Sequence, residues 1–173
     1  MYYKNLTIYY IMLKLIITSI RRWRMATLTC FDVANYFLSL PNEDIGDSIT
    51  NLKLQKLVYY SQGFSLALYD KLLFAEHMEA WEHGPVNTAL YNKYKQLGAA
   101  PIPIPEDIDF SKYDEQTKDL LNGVYEEYGQ FSAWKLREMS HGEEPWIKGK
   151  HQAGQIIQNN DLKKYFSTLV EDA

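Results

Sequence analysis

Thr50-Asn51-Leu52-Lys53-Leu54-Gln55-Lys56-Leu57-Val58-Tyr59-Tyr60-Ser61-Gln62-Gly63-Phe64-Ser65-Leu66-Ala67-Leu68 is the stretch on which the fold turns. Thr50 can cap a helix in which Leu54, Leu57, Val58, Ser61, Ser65 and Leu68 share one face. Tyr60, Phe64 and Ala67 widen that face, which predicts a buried central helix. Gly63 in the middle costs about 1 kcal/mol of helix propensity, so its place there implies close approach of a neighbouring element. Gln55, Lys56 and Tyr59 fall off the apolar stripe and are expected on its flank, where a partner could reach them.

Upstream, Thr29 and Asp32 form a capping-box pattern, with Val33, Tyr36, Phe37 and Leu40 at helical spacing up to Pro41. Downstream, a turn at residues 69–71 precedes two short runs, 72–74 and 78–81, which predict a small β-hairpin. Gly84-Pro85 reads as a break with proline opening a helix that carries Val86, Ala89, Leu90, Tyr94 and Leu97. Pro101, Pro103 and Pro105 alternate with isoleucine and predict a stiff connector too short to divide domains. Further helices follow at Leu121–Tyr128, with Gly129 after it, and behind a Ser132 cap with Leu136 and Met139. Residues 140–154 read as irregular. Asn160 caps a terminal helix with Leu162, Tyr165, Phe166 and Leu169 inward, after a short extended piece at Ile156-Ile157. The expected architecture is mainly α, a compact helical bundle with a small β-hairpin.

The 173-residue chain suits one domain, and its 46% hydrophobic and 14% aromatic residues are globular in character. Its single cysteine, Cys30, fits a reducing compartment and reads as a buried apolar residue, giving a cytoplasmic expectation. Five of the 18 basic residues (Lys4, Lys14, Arg21, Arg22, Arg24) and no acid lie in residues 1–24. The apolar run at 8–20 is interrupted by Lys14 and short for a bilayer span, and its charges follow rather than precede it, against a signal peptide. Residues 1–24 are therefore expected to lie outside a domain of residues 25–173, with Met25 as a candidate start. The rest carries 13 basic against 22 acidic residues, which disfavours nucleic acid as partner and suits a basic one.

A search for chemistry begins with His77, His83, His141 and His151. None has diagnostic metal or catalytic spacing, and no phosphate loop or nucleophile elbow is present. His83 and His141 could converge as ligands of a metal-dependent hydrolase, which is the enzyme alternative. A DNA-binding regulator is the third reading, but Lys135 and Arg137 are the only cations on the Ser132-capped helix.

Three runs remain: Leu54-Gln55-Lys56-Leu57-Val58-Tyr59-Tyr60-Ser61-Gln62-Gly63, then Glu79-Ala80-Trp81-Glu82-His83-Gly84-Pro85-Val86, then Ser140-His141 with Pro145-Trp146. In kind and order they resemble the signatures of the Panacea domain of SocA-like antitoxins and phage-associated GepA-like proteins. The resemblance covers residues 29–166 and leaves out 1–24. It implies a non-enzymatic, cofactor-free antitoxin that neutralises a cognate protein toxin by direct contact, or hands it to a cytoplasmic protease. With it, Leu54, Leu57, Gly63, Ala80, Gly84, Pro85, Val86, His141 and Pro145 are expected to define the fold. Gln55, Lys56, Tyr59, Tyr60, Trp81, Glu82, His83 and Trp146 are the candidates for partner binding, since tyrosine and tryptophan give large contact area at low entropic cost.

Overall fold

The computed structural model describes residues 28–40 and 48–171. The expected arm at 1–24, the Met25 start and most of the 41–48 loop fall outside them. Seven α-helices lie among the described residues: α1 (Cys30–Leu38), α2 (Asn51–Tyr69), α3 (Thr88–Tyr94), α4 (Glu115–Tyr128), α5 (Ala133–His141), α6 (Glu144–Gly149) and α7 (Asn159–Glu171). A three-stranded antiparallel sheet in the order β2-β1-β3 joins β1 (Met78–Trp81), β2 (Gly84–Val86) and β3 (Ile156–Ile157). The mainly helical expectation holds.

Four of the helices start where hydroxyl or carboxyl caps satisfy a free N–H group. Thr29 and Asp32 form the reciprocal box of α1, Thr50 accepts from Lys53 N in α2, Asp114 caps α4 and Ser132 caps α5. α2 is central, with α1, α4, α5 and α7 packed against it. Its Gly63 is the point of closest approach to α7: a Cβ there would overlap the ring of Phe166. Phe166 in turn meets Tyr59, Tyr60 and Phe64 edge-on, and Tyr60 stacks on Tyr128 with centroids 3.8 Å apart. Aromatic pairs of this kind add to simple burial, which is why the paired tyrosines belong to the core.

Four local expectations are corrected. The hairpin forms between residues 78–81 and 84–86, not between 72–74 and 78–81. The buried Gln62 side chain has taken the backbone of the earlier run: Leu73 N donates to its Oε1 at 2.9 Å, and its Nε2 donates to Phe74 O at 3.0 Å. Gly84-Pro85 accordingly sits in β2, and the next helix begins at Thr88 behind an Asn87 cap. Proline is tolerated because β2 is an edge strand. The stretch 140–154, read as irregular, contains α6, whose first turn holds Pro145 where no N–H is needed and Glu144 where a carboxylate suits the helix dipole. Last, α2 is buried on more of its circumference than its apolar stripe implies, with Gln55, Lys56, Tyr59 and Tyr60 all inside. The Ile156-Ile157 piece is a strand, as expected.

Candidate functional site

The polar residues of α2 lie beneath the β1–β2 turn and bind it to the rest of the fold. Lys56, with 0% exposure, donates from Nζ to the carbonyl oxygen of Pro85 at 2.8 Å. Tyr59 and Tyr60 donate to the two carboxylate oxygens of Glu143, at 2.7 and 3.0 Å, and Glu143 is the N-cap position of α6. Gln55 accepts from Asn87 N at 2.7 Å and donates to Asn51 Oδ1. Every one of these polar groups thus has a partner inside the protein, as burial requires.

This arrangement explains Gly84. Its φ is +95°, and a Cβ would stand 2.8 Å from Lys56 Nζ and 2.9 Å from Ser140 Oγ. Only glycine permits both the backbone and the lysine beside it. Burial pulls the Lys56 ammonium down to about 7, Arg137 adds to the depression, and Glu143 opposes it. Tyr59 is raised well above its ordinary value, first by burial and then by the adjacent Glu143 charge.

The flank expectation for Gln55, Lys56 and Tyr59, and the partner-facing expectation for Tyr60, therefore do not describe their positions. A polar residue off the apolar stripe is exposed only if nothing else covers it, and here the hairpin and α6 do. Leu54, Leu57, Ala80, Val86 and Pro145 are buried among the fold-defining set.

The surface over this buried layer is what a partner meets. Trp81 is half-buried, with its ring edge-on to Tyr91 at 4.9 Å and its Nε1 donating to Glu79. Glu82 and His83 form the exposed two-residue loop of the hairpin. Beside them opens a cleft of about 400 Å³, lined by Trp81, Tyr91, Leu52, His83 and Lys95 among others. Trp146 is almost covered: its Nε1 donates to Trp81 O at 3.0 Å, His141 stacks on it at 4.1 Å, and Lys150 lies 4.7 Å over its ring.

Two residues missed in the candidate set complete the surface. Trp134 of α5 is 60% exposed and meets His83 edge-on at 6.1 Å. Arg137 lies 5.1 Å over the Trp134 ring and donates from Nε to His83 Nδ1 at 3.3 Å. The helical period contained a signal, since Leu136 and Ser140 set the inward face of α5 and Trp134 falls on the other side. That α5 lies beside His83 is a tertiary fact.

The metal reading gains no ligand set. Among the described residues no three His, Cys, Asp or Glu side chains gather. Burial, then Arg137, Lys56 and Lys150, hold His141 below its ordinary range, an electropositive setting that would repel a metal cation. Cys30 is buried, and its thiol is pushed up to about 12 by burial and by Glu76. Among the described residues no helix is long and apolar enough to cross a membrane.

A helical domain whose central helix holds an Ala-Trp-x-x-Gly-Pro-Val hairpin through a buried lysine and a short helix through paired tyrosines defines a class of protein. Residues 54–147, more than half of the chain, match the family described as antitoxin SocA-like, Panacea domain. The chain belongs to this antitoxin family, whose members are generally not enzymes. Neither the curated proteins nor the solved structures gave a match.

Proposed function

We propose that the protein neutralises a cognate protein toxin by direct binding, through the surface formed by Trp81, Glu82, His83 and Trp134 with Arg137. Family membership supports a toxin as partner. The observation that carries the choice of surface is Trp134, an exposed tryptophan held between an arginine and a histidine on the outer side of the family's Trp-x-x-Gly-Pro turn. Tryptophan and arginine are the residue types most enriched at binding hot spots. The buried Gln55, Lys56, Tyr59 and Tyr60 act behind this surface, fixing the turn's position, and Trp146 supports it from below.

The test is co-expression with the product of the adjacent reading frame, scored by growth and by co-purification. Trp134→Ala is expected to cost about 2 kcal/mol or more of affinity with an unchanged melting curve. Unchanged affinity in that variant and in His83→Ala removes this face from the interface. Hand-over to a cytoplasmic protease is the second mode that family resemblance suggests. A toxin lifetime that shortens when the protein is present, in a pulse-chase, supports it, and an unchanged lifetime with full protection leaves blocking alone.

A further inference from the structure

Arg137 is the only arginine among the described residues and, like Lys93 and Lys150, it lies over an aromatic ring. Lys112, Lys118, Lys135, Lys148 and Lys163 each pair with a carboxylate of the chain. Arg137 instead rests against two aromatic side chains, the Trp134 indole and His83, and forms no ion pair among the described residues. Those two contacts hold the guanidinium beside the hairpin loop without a carboxylate partner. A planar fork held in this way is pre-organised for a carboxylate, which it can bind through two parallel hydrogen bonds.

His83 also lines the 400 Å³ cleft, so the cation and the cleft are one continuous surface. The cleft offers aromatic and aliphatic wall from Trp81, Tyr91, Leu52 and Val86. The lining carries both Glu82 and Lys95, whose charges offset one another, so the acid is placed on Arg137 beside the cleft and an apolar neighbour in it.

We propose that Arg137, Trp134 and His83, with the adjoining cleft, read a segment of a protein partner in which an Asp or Glu stands beside a bulky apolar residue. The carboxylate pairs with Arg137 and the apolar side chain enters the cleft. The inference refines the toxin-binding surface proposed above and rests on it. It also departs from the overall charge of the chain: although acids predominate, this face is built to receive one.

The experiment uses the full chain, labelled with ¹⁵N, and two capped probes, acetyl-Glu-Leu-amide and acetyl-Gln-Leu-amide. The indole signals of Trp81 and Trp134 should move with the Glu probe, which should bind roughly fivefold to tenfold more tightly than the Gln probe. Arg137→Gln should abolish that preference and Arg137→Lys restore part of it, with the rest of the spectrum unchanged. Equal binding of the two probes, immobile Trp134 signals, or a preference that survives Arg137→Gln overturns the proposal. So does a short oligothymidylate that moves the same signals at lower concentration than the Glu probe, which would make the face a phosphate reader. Toxin protection is scored in parallel with Arg137→Gln. Loss of both the preference and the protection supports the whole proposal. Loss of the preference with protection intact supports the carboxylate reader and overturns its place on the toxin surface.

Discussion

Replacing Glu143 by alanine tests whether the buried layer beneath the turn is held by one carboxylate. Glu143 receives the hydroxyls of Tyr59 and Tyr60 at 2.7 and 3.0 Å, and its charge opposes the depression of the Lys56 ammonium. Alanine leaves two fully buried hydroxyls without an acceptor and a buried lysine without its counter-charge. An unsatisfied buried polar group costs about 1 to 3 kcal/mol, and Lys56 keeps its hydrogen bond to Pro85 O. The two hydroxyls share one carboxylate, so their losses overlap and about 4 kcal/mol in total is the expected loss. For a domain of this size each kcal/mol shifts Tm by about 2 to 4 °C, giving a drop of roughly 8 to 16 °C. Glu143→Gln keeps one acceptor and should fall between alanine and the parent. Urea unfolding read by near-ultraviolet circular dichroism is the assay, since the tyrosine cluster reports directly. A loss under about 1 kcal/mol for Glu143→Ala would refute the argument, and a loss that vanishes in a Tyr59→Phe, Tyr60→Phe background would confine it to the hydroxyls.

Gly63→Ala should destabilise strongly because its Cβ overlaps Phe166, and Phe166→Leu in the same chain should recover part of the loss in a melting experiment. Gly84→Ala should do likewise through its positive φ and Lys56, with Lys56→Met relieving only the steric share. Lys56 has a folded value of about 7 against 10.5, so between those values the unfolded chain binds more protons and stability rises with pH. The thiol of Cys30, raised to about 12 from 9.0, works the other way, removing stability as pH climbs above 9.0. The urea midpoint should therefore increase from pH 7 to 9, and Lys56→Met should flatten that rise. Cys30 should also resist Ellman's reagent in the native protein and react at once in urea; fast native reaction would contradict its burial.

What the sequence determined was local and periodic. The Thr29–Asp32 box, the caps at Thr50 and Ser132, the central helix and the inward face of the last helix all follow from interactions spanning a few residues. The close approach at Gly63 was legible too, because glycine inside a helix costs propensity that packing must offset. The motif runs were legible as a family pattern, though their roles were not. Only the tertiary structure decided which polar residues are inside. Lys56, Tyr59, Tyr60 and Gln55 have the chemistry of a surface and lie under a hairpin and a short helix whose residues are some 30 to 90 positions away in the chain. Tertiary packing hid the partner of β1 as well: Gln62, 11 and 12 positions before Leu73 and Phe74, removed one candidate run by binding its backbone, and β2 took its place. It also hid Arg137 and Trp134, which become a surface with His83 only because α5 packs beside the turn. Periodicity records which side of a helix faces inward, whereas burial depends on what the rest of the chain lays over it.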